Sequence, residues 1–330
     1  MGALSERRSQ TSQRISQLQT KLEVAAGITA GKACVYATGS YGRGEASTFS
    51  DLDLFIVSLV ETKDGETQSV LRRLDEILLK AQLINATRQL DIKEFDGDGR
   101  WLVGYSVDHL TKTLGKPEDD ALNTFTARLL LLLESHPLLE DSVYAEVMND
   151  VIDAYWRDYN DHKDSFVPAF LTNDILRLWR TFCVNYEANT FSEPTTENAK
   201  RKSKNYKLKH SRLLTCFSAL MYLLAVFEQK KTVHPSDVIE MTKLTPTGRI
   251  DRLLANKDLI QAHSHLQLLL DHYERFLETT NVSDAELREF FLDRNVSREY
   301  MKRANEFGKT VFDALISIGN ENLLFRLILV

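Results

Sequence analysis

Polar and apolar positions along the chain follow helical spacing, strand alternation or unbroken apolar runs. Between Ser5 and Ala26 a mostly polar segment carries a thin stripe at Ile15, Leu18 and Leu22, which predicts an amphipathic helix. Gly27 and Gly31 interrupt it. The wholly apolar segment Ala33 to Ala37 then predicts a buried strand, and a glycine-rich turn follows. Asp51 to Ser58 alternates acidic and apolar residues before becoming apolar throughout, as a strand entering a core does. Val70, Leu71, Leu74, Ile77, Leu78 and Ala81 lie at helical spacing and predict a helix over Thr67 to Ala81. A further strand is predicted over Arg88 to Phe95, ending in the turn Asp96-Gly97-Asp98-Gly99. From about Ala121 onward the pattern is helical nearly throughout, with a polar break from Thr190 to Ser203 that contains Pro194. The apolar run Leu213 to Phe227 predicts a buried helix, too short between its charged flanks to span a bilayer. Together these patterns predict an α+β chain. A small mixed-sheet domain with an N-terminal helix is expected over residues 1–140 and an all-helical domain over 141–330.

The chemistry is concentrated in Gly39-Ser40-Tyr41-Gly42-Arg43-Gly44-Glu45 and in Asp51-Leu52-Asp53-Leu54. Carboxylates at i and i+2 of a strand point to one face, so Asp51 and Asp53 are placed to share metal ions. Magnesium takes hard oxygen ligands, commonly one or two carboxylates together with the phosphates of a nucleotide. Gly39 and Ser40 end one strand and are expected to open a helix, where backbone N–H groups and a hydroxyl can hold a triphosphate. Alone, an Asp-x-Asp is often a solvated strand end and a Gly-rich turn is often only a turn. Their order in this chain, strand, Gly-Ser, helix, then acidic strand, points to phosphoryl-transfer chemistry. A Walker A loop is excluded because no Gly-Lys-Ser or Gly-Lys-Thr follows the glycines.

The segment from Gly39-Ser40 through Val57 resembles the signature of DNA polymerase β-type nucleotidyltransferases. Its form is similar to the catalytic domain of the PII-protein uridylyltransferases and their shorter relatives. The likeness extends over Leu90-Asp91-Ile92, Gly104-Tyr105-Ser106-Val107 and Thr126-Ala127-Arg128-Leu129-Leu130. It implies a metal and catalytic triad of Asp51, Asp53 and Asp91, binding Mg2+ with Mn2+ as a substitute, and a nucleoside triphosphate substrate. Tyr105 departs from the family, which has His there. The phase of the predicted strand supports Asp91 separately, since Leu90 and Ile92 would face one side and Asp91 and Lys93 the other; Glu94, Asp96 and Asp98 compete with it. Asp91 could also accept the proton of the attacking group. No histidine is followed by aspartate, so the His-Asp hydrolase that reverses the reaction in full-length PII uridylyltransferases is not expected.

Charge changes the picture in one place. The net charge of −6 excludes a general nucleic-acid coat protein, whose affinity rests on neutralising phosphates. Yet Lys200 to Arg212 packs seven positive charges into thirteen residues. In related enzymes the helical domain supplies Lys and Ser to the nucleotide phosphates, so Lys207, Lys209, Ser211 and Arg212 join Gly39, Ser40 and Arg43 as nucleotide-binding candidates. Lys200 to Lys204 reads as a solvated face. Trp179 is expected in the core, and Tyr206 either packs or stacks on a base. Cys34, Cys183 and Cys216 have no CxxC spacing and suit reduced core thiols of a cytoplasmic protein. The histidines form no HxxxH or HExxH pattern, which excludes the usual zinc sites. The expected activity is transfer of a nucleoside monophosphate to an acceptor, a protein by closest motif match, with pyrophosphate released. A nucleotide, RNA or small-molecule acceptor, or a non-catalytic nucleotide-sensing module, is the alternative. No membrane partner is expected.

Overall fold

Alternation along two neighbouring strands sets the architecture of the first half of the chain. The computed structural model describes residues 2–93, 95, 102–190, 198–319 and 322–329. The chain divides into two compact units, Ala3–Arg157 and Asp158–Val330. The first unit contains α1 (Ala3–Leu22), α2 (Ala26–Thr29), β1 (Ala33–Thr38), α3 (Gly39–Gly42), β2 (Asp53–Ser58), β3 (Val60–Lys63), β4 (Glu66–Ser69) and α4 (Arg73–Gln89). It continues with β5 (Gly104–Ser106), α5 (Val107–Thr111), α6 (Pro117–Ala121), α7 (Thr124–Glu134), β6 (His136–Leu139) and α8 (Asp141–Tyr155).

The main sheet has the order β5-β2-β1-β6, with β1 antiparallel to both neighbours and β5 parallel to β2. Register places Ala37 opposite Leu54 and Val35 opposite Ile56, and this face packs on Leu18 and Leu22 of α1 and Leu79 and Leu83 of α4. Each such aliphatic side chain, fully buried, stabilises the unit by about 1.5–3 kcal/mol. The opposite face is aromatic. Tyr36 stacks on Phe55 at 5.6 Å and meets the edge of Tyr144 from α8 at 5.9 Å, and Phe55 adjoins Tyr105 of β5. Along this second face the next pair is Thr38 and Asp53. Behind it, Arg128 of α7 reaches Asp119 of α6 in a fully buried ion pair of 2.6 Å and also donates to the Tyr155 hydroxyl of α8. That clasp joins three helices through one guanidinium.

Several elements differ from the sequence-based expectation. The segment before α4 is a β3–β4 hairpin, turned at Asp64-Gly65, whose residues both have positive φ. The helix expected to end at Ala81 therefore starts later and runs to Gln89. Among the described residues the strand predicted over Arg88 to Phe95 reduces to a single bridge between Asp51 and Lys93, because α4 runs through Gln89 and a turn at Leu90 and Asp91 follows it. β6 and α8 complete the sheet unit beyond residue 140: β6 pairs with β1, and α8 covers its aromatic face.

The second unit is helical: α9 (Ala169–Thr190), α10 (Asn198–Lys207), a π-helical stretch Leu208–Arg212, α11 (Leu213–Lys230), α12 (Pro235–Thr242) and α13 (Pro246–Leu254). It ends with α14 (His263–Thr279), α15 (Asp284–Leu292), α16 (Arg294–Gly319) and α17 (Leu323–Leu329). Nearly every residue of α11 is buried. With α10 it forms one helix over Asn198–Lys230, long and apolar enough to cross a membrane, yet its most apolar window is 72% buried within the protein. It is a core helix, longer than the apolar run alone suggested. Cys34 and Cys216 are buried, Cys183 is partly exposed, and all three are free thiols.

Candidate active site

The Gly-Ser turn is one helical turn long and is anchored from behind. Gly39 has φ +63, a left-handed conformation open to glycine at little cost. Its N–H donates to Glu134 Oε1 at 3.1 Å, and Arg43 donates to the other oxygen of the same carboxylate at 3.0 Å. Arg43 also holds Glu45 at 2.9 Å, and all three charged residues are buried. Gly42 lies so close to the end of α7 that an added Cβ would sit 1.9 Å from the Glu134 carbonyl. From the other side α1 clamps the same loop. Thr11 Oγ1 accepts from the Ala46 N–H at 2.8 Å, Arg7 donates to the Glu45 carbonyl, and Arg14 donates to the Tyr41 hydroxyl. Burial pushes the Tyr41 phenol above its ordinary range, against the hydrogen bond from Arg14.

This network corrects two of the nucleotide-binding candidates. The Arg43 guanidinium is buried between two carboxylates and the Gly39 amide is committed to Glu134, so both shape the turn. Ser40, half-buried in the same turn, is the candidate that keeps an accessible side chain. Glu134, Thr11 and Arg7 are the residues that sequence reasoning missed. Glu134 reads in the sequence only as the polar end of a leucine run.

The two carboxylates stand where alternation placed them: Leu52 and Leu54 are buried, and Asp51 and Asp53 are exposed. Asp53 opens β2 opposite Thr38, and its Oδ2 lies 2.5 Å from where a Cβ on Gly39 would be. The absent side chain of Gly39 is therefore the space the carboxylate occupies. Lys93 approaches Asp51 at 3.8 Å on the solvent side. Next to Asp53, the hydroxyl of Thr38 is buried and without a hydrogen-bond partner among the described residues. Asp91 does not lie on a strand. It sits in the turn that follows α4, with φ 49, and among the described residues no three His, Cys, Asp or Glu side chains form a metal-holding group. Glu94, Asp96 and Asp98 lie outside the described residues. The donor set of Asp51 and Asp53 fits a magnesium ion that takes its remaining ligands from nucleotide phosphates and water. Tyr105, at the departure from the family pattern, is buried and donates to the Leu122 carbonyl.

In the second unit the basic run is dispersed by the π-helical stretch. Lys207 pairs with Asp284 at 2.8 Å, Lys209 donates to Asn305 at 2.9 Å, and Arg212 lies over the Phe182 ring at 5.1 Å. Ser211 is buried. Lys209 lines a groove of 330 Å3 with Trp179 and Phe217, so Trp179 borders a surface groove as well as packing. Tyr206 is buried among Phe276, Phe291 and Tyr300, which makes it a packing residue. His210 stacks between Phe276 and Phe307, and burial pulls its imidazole down to about 4.

No curated protein and no solved structure matches the chain. A family model does match, over a span that contains the anchored Gly-Ser turn and the exposed Asp51 and Asp53 beside it. The model is that of a nucleotidyltransferase domain, and the match runs over residues 19–123.

Proposed function

We propose that the chain transfers a nucleoside monophosphate from a nucleoside triphosphate to a protein side chain. The observation that carries the reading is the fit of the Asp53 carboxylate against the backbone of Gly39, which joins the Gly-Ser turn to the acidic strand. An acceptor oxygen or nitrogen attacks the α-phosphorus in line. The new bond forms to phosphorus, the bond to the bridging α–β oxygen breaks, pyrophosphate leaves with the electron pair, and the proton of the acceptor group passes to solvent water. Asp51 and Asp53 would hold Mg2+, which supplies charge neutralisation at the phosphates when bound. Ser40, which keeps a partly exposed hydroxyl in the turn, is suited to orient the triphosphate. Lys209 and Arg212 would be further phosphate contacts by the resemblance to related enzymes alone, with Lys207 held by Asp284. The protein acceptor rests on the similarity of GSYGRGE and SDLDL to the PII uridylyltransferases.

The test uses purified protein, magnesium, each of the four α-32P nucleoside triphosphates in turn, and a cell extract. Label is expected on a protein band, and Asp53→Asn should abolish it while the far-UV circular dichroism stays unchanged. Label on RNA or a small molecule would keep the transferase and reject the protein acceptor. With no labelled product from any triphosphate, the domain is a nucleotide-sensing module and the enzymatic reading fails.

A further inference from the structure

A second cavity lies in the first unit at the far end of β2 from the carboxylates. Its volume is 810 Å3, within the range of about 300–1,000 Å3 that small-molecule sites occupy. Ile56 and Ser58 of β2 line it, about 10 and 17 Å along the strand from Asp53 at roughly 3.3 Å per residue. Its lining includes neither Asp51, Asp53 nor any residue of the Gly-Ser turn. The cavity is therefore separate from the transfer site.

Its lining has two parts. Leu71 and Tyr105 give apolar surface beside the hydroxyls of Ser58 and Ser69, which bond each other at 2.8 Å. Around them stand four cations, Arg72, Arg73, Lys112 and Lys116. Three carboxylates are present as well, but two are already matched. Glu76 pairs at 2.6 Å with Lys80, which lies outside the lining, and at 4.0 Å with Arg73; Asp108 pairs at 2.7 Å with Lys112, and the third carboxylate is Glu118. Gly104 contributes to this arrangement, because its missing Cβ leaves room for the Glu76 carboxylate to turn aside against the backbone. Arg72 and Lys116 have no carboxylate partner among the described residues. The cavity thus carries surplus positive charge in a chain whose net charge is −6.

We propose that this cavity binds a small phosphate ester. Its phosphate would meet Arg72 and Lys116, with guanidinium geometry suited to phosphate oxygens, and its organic part would rest on Tyr105 and the serine hydroxyls. This reading stands independently of the acceptor and of the transfer reaction.

The experiment is isothermal titration calorimetry of the full chain with ribose 5-phosphate as the probe, and with inorganic phosphate in a second arm. Saturable binding of the ester is expected in the wild type and, unchanged, in Asp53→Asn. The charge-reversed variant Arg72→Glu with Lys116→Glu should weaken it at least tenfold, the loss of one to two charge-assisted contacts. Both residues are exposed, so the melting temperature serves as the folding control. Should the double variant melt early, the single changes Arg72→Gln and Lys116→Gln replace it, each expected to weaken binding at least threefold. Inorganic phosphate binding as tightly as the ester would remove the organic subsite and reject the proposal. So would absence of binding in the wild type, equal affinity in the charge variants, or loss of binding in Asp53→Asn, which would put the ligand at the transfer site.

Discussion

Gly39→Ala separates the stability of the Gly-Ser turn from its chemistry. An alanine there must adopt φ +63, which costs roughly 1–2 kcal/mol in the left-handed region. Its Cβ would also fall 2.5 Å from Asp53 Oδ2, where ordinary van der Waals contact begins at 3.4 Å, so the carboxylate must retreat by 3.4 − 2.5 = 0.9 Å. A displacement of about 1 Å at a reacting centre lowers turnover on the order of 100-fold. The control is Gly31→Ala, which has φ +64 and nothing within 4 Å of the added Cβ. Both variants should lose about the same stability, a fall of roughly 2–8 °C in melting temperature for units of this size. Only Gly39→Ala should lose turnover, measured as pyrophosphate release at saturating triphosphate and magnesium. If Gly39→Ala keeps wild-type turnover while melting lower, contact with Gly39 does not position Asp53. If Gly31→Ala loses turnover equally, general destabilisation explains both.

Three further expectations follow from neighbouring features. Glu134→Gln removes a negative charge held 3.0 Å from the buried Arg43 guanidinium and should cost about 3 kcal/mol in urea denaturation, with turnover falling in parallel; unchanged stability would refute the anchoring role. Lys209→Ala should raise KM for triphosphate several-fold with little change in kcat, and Lys207→Ala, held by Asp284, should raise it less; equal KM values across wild type and both variants would make the run ordinary surface. His210 stays neutral in the folded protein down to about 4, while in the unfolded chain it takes up a proton below about 6.5, so stability should fall as pH drops from 6.5 toward 4 by up to ~1.4 kcal/mol per pH unit. Urea titrations at pH 5 and pH 7 should show a smaller difference in His210→Phe than in the wild type, and an equal difference would refute the assignment.

What was legible in the sequence is what periodicity encodes. β2 could be read because Leu52 and Leu54 are buried between exposed aspartates, and α1 because Ile15, Leu18 and Leu22 form one stripe on the core. The β3–β4 hairpin left no such trace. Its residues are exposed on both faces apart from Val60, so selection for burial imposes no alternation, and Asp64-Gly65 alone marked the turn. β6 was hidden for the opposite reason: four residues ending in two leucines are too few to tell a strand from a helix end. Asp91 was misplaced by the same limit, since Leu83 and Ala86 extend the buried face of α4 almost to it, and a two-residue alternation there fits a helix terminus equally well.

The turn shows a deeper limit. Gly39 to Glu45 could be identified as a functional loop from its spacing, but spacing gives no partners. Arg43 beside three glycines reads as a cation waiting for phosphate. In the folded chain it is drawn inward by Glu45 two residues away and by Glu134 ninety-one residues away. A buried guanidinium needs that much negative charge, and a phosphate contact needs the guanidinium exposed, so the two roles exclude each other. Arg43 therefore belongs to the support of the site. The anionic ligand must be met by groups that remain accessible, Ser40 in the turn and whatever the exposed Asp51 and Asp53 hold between them.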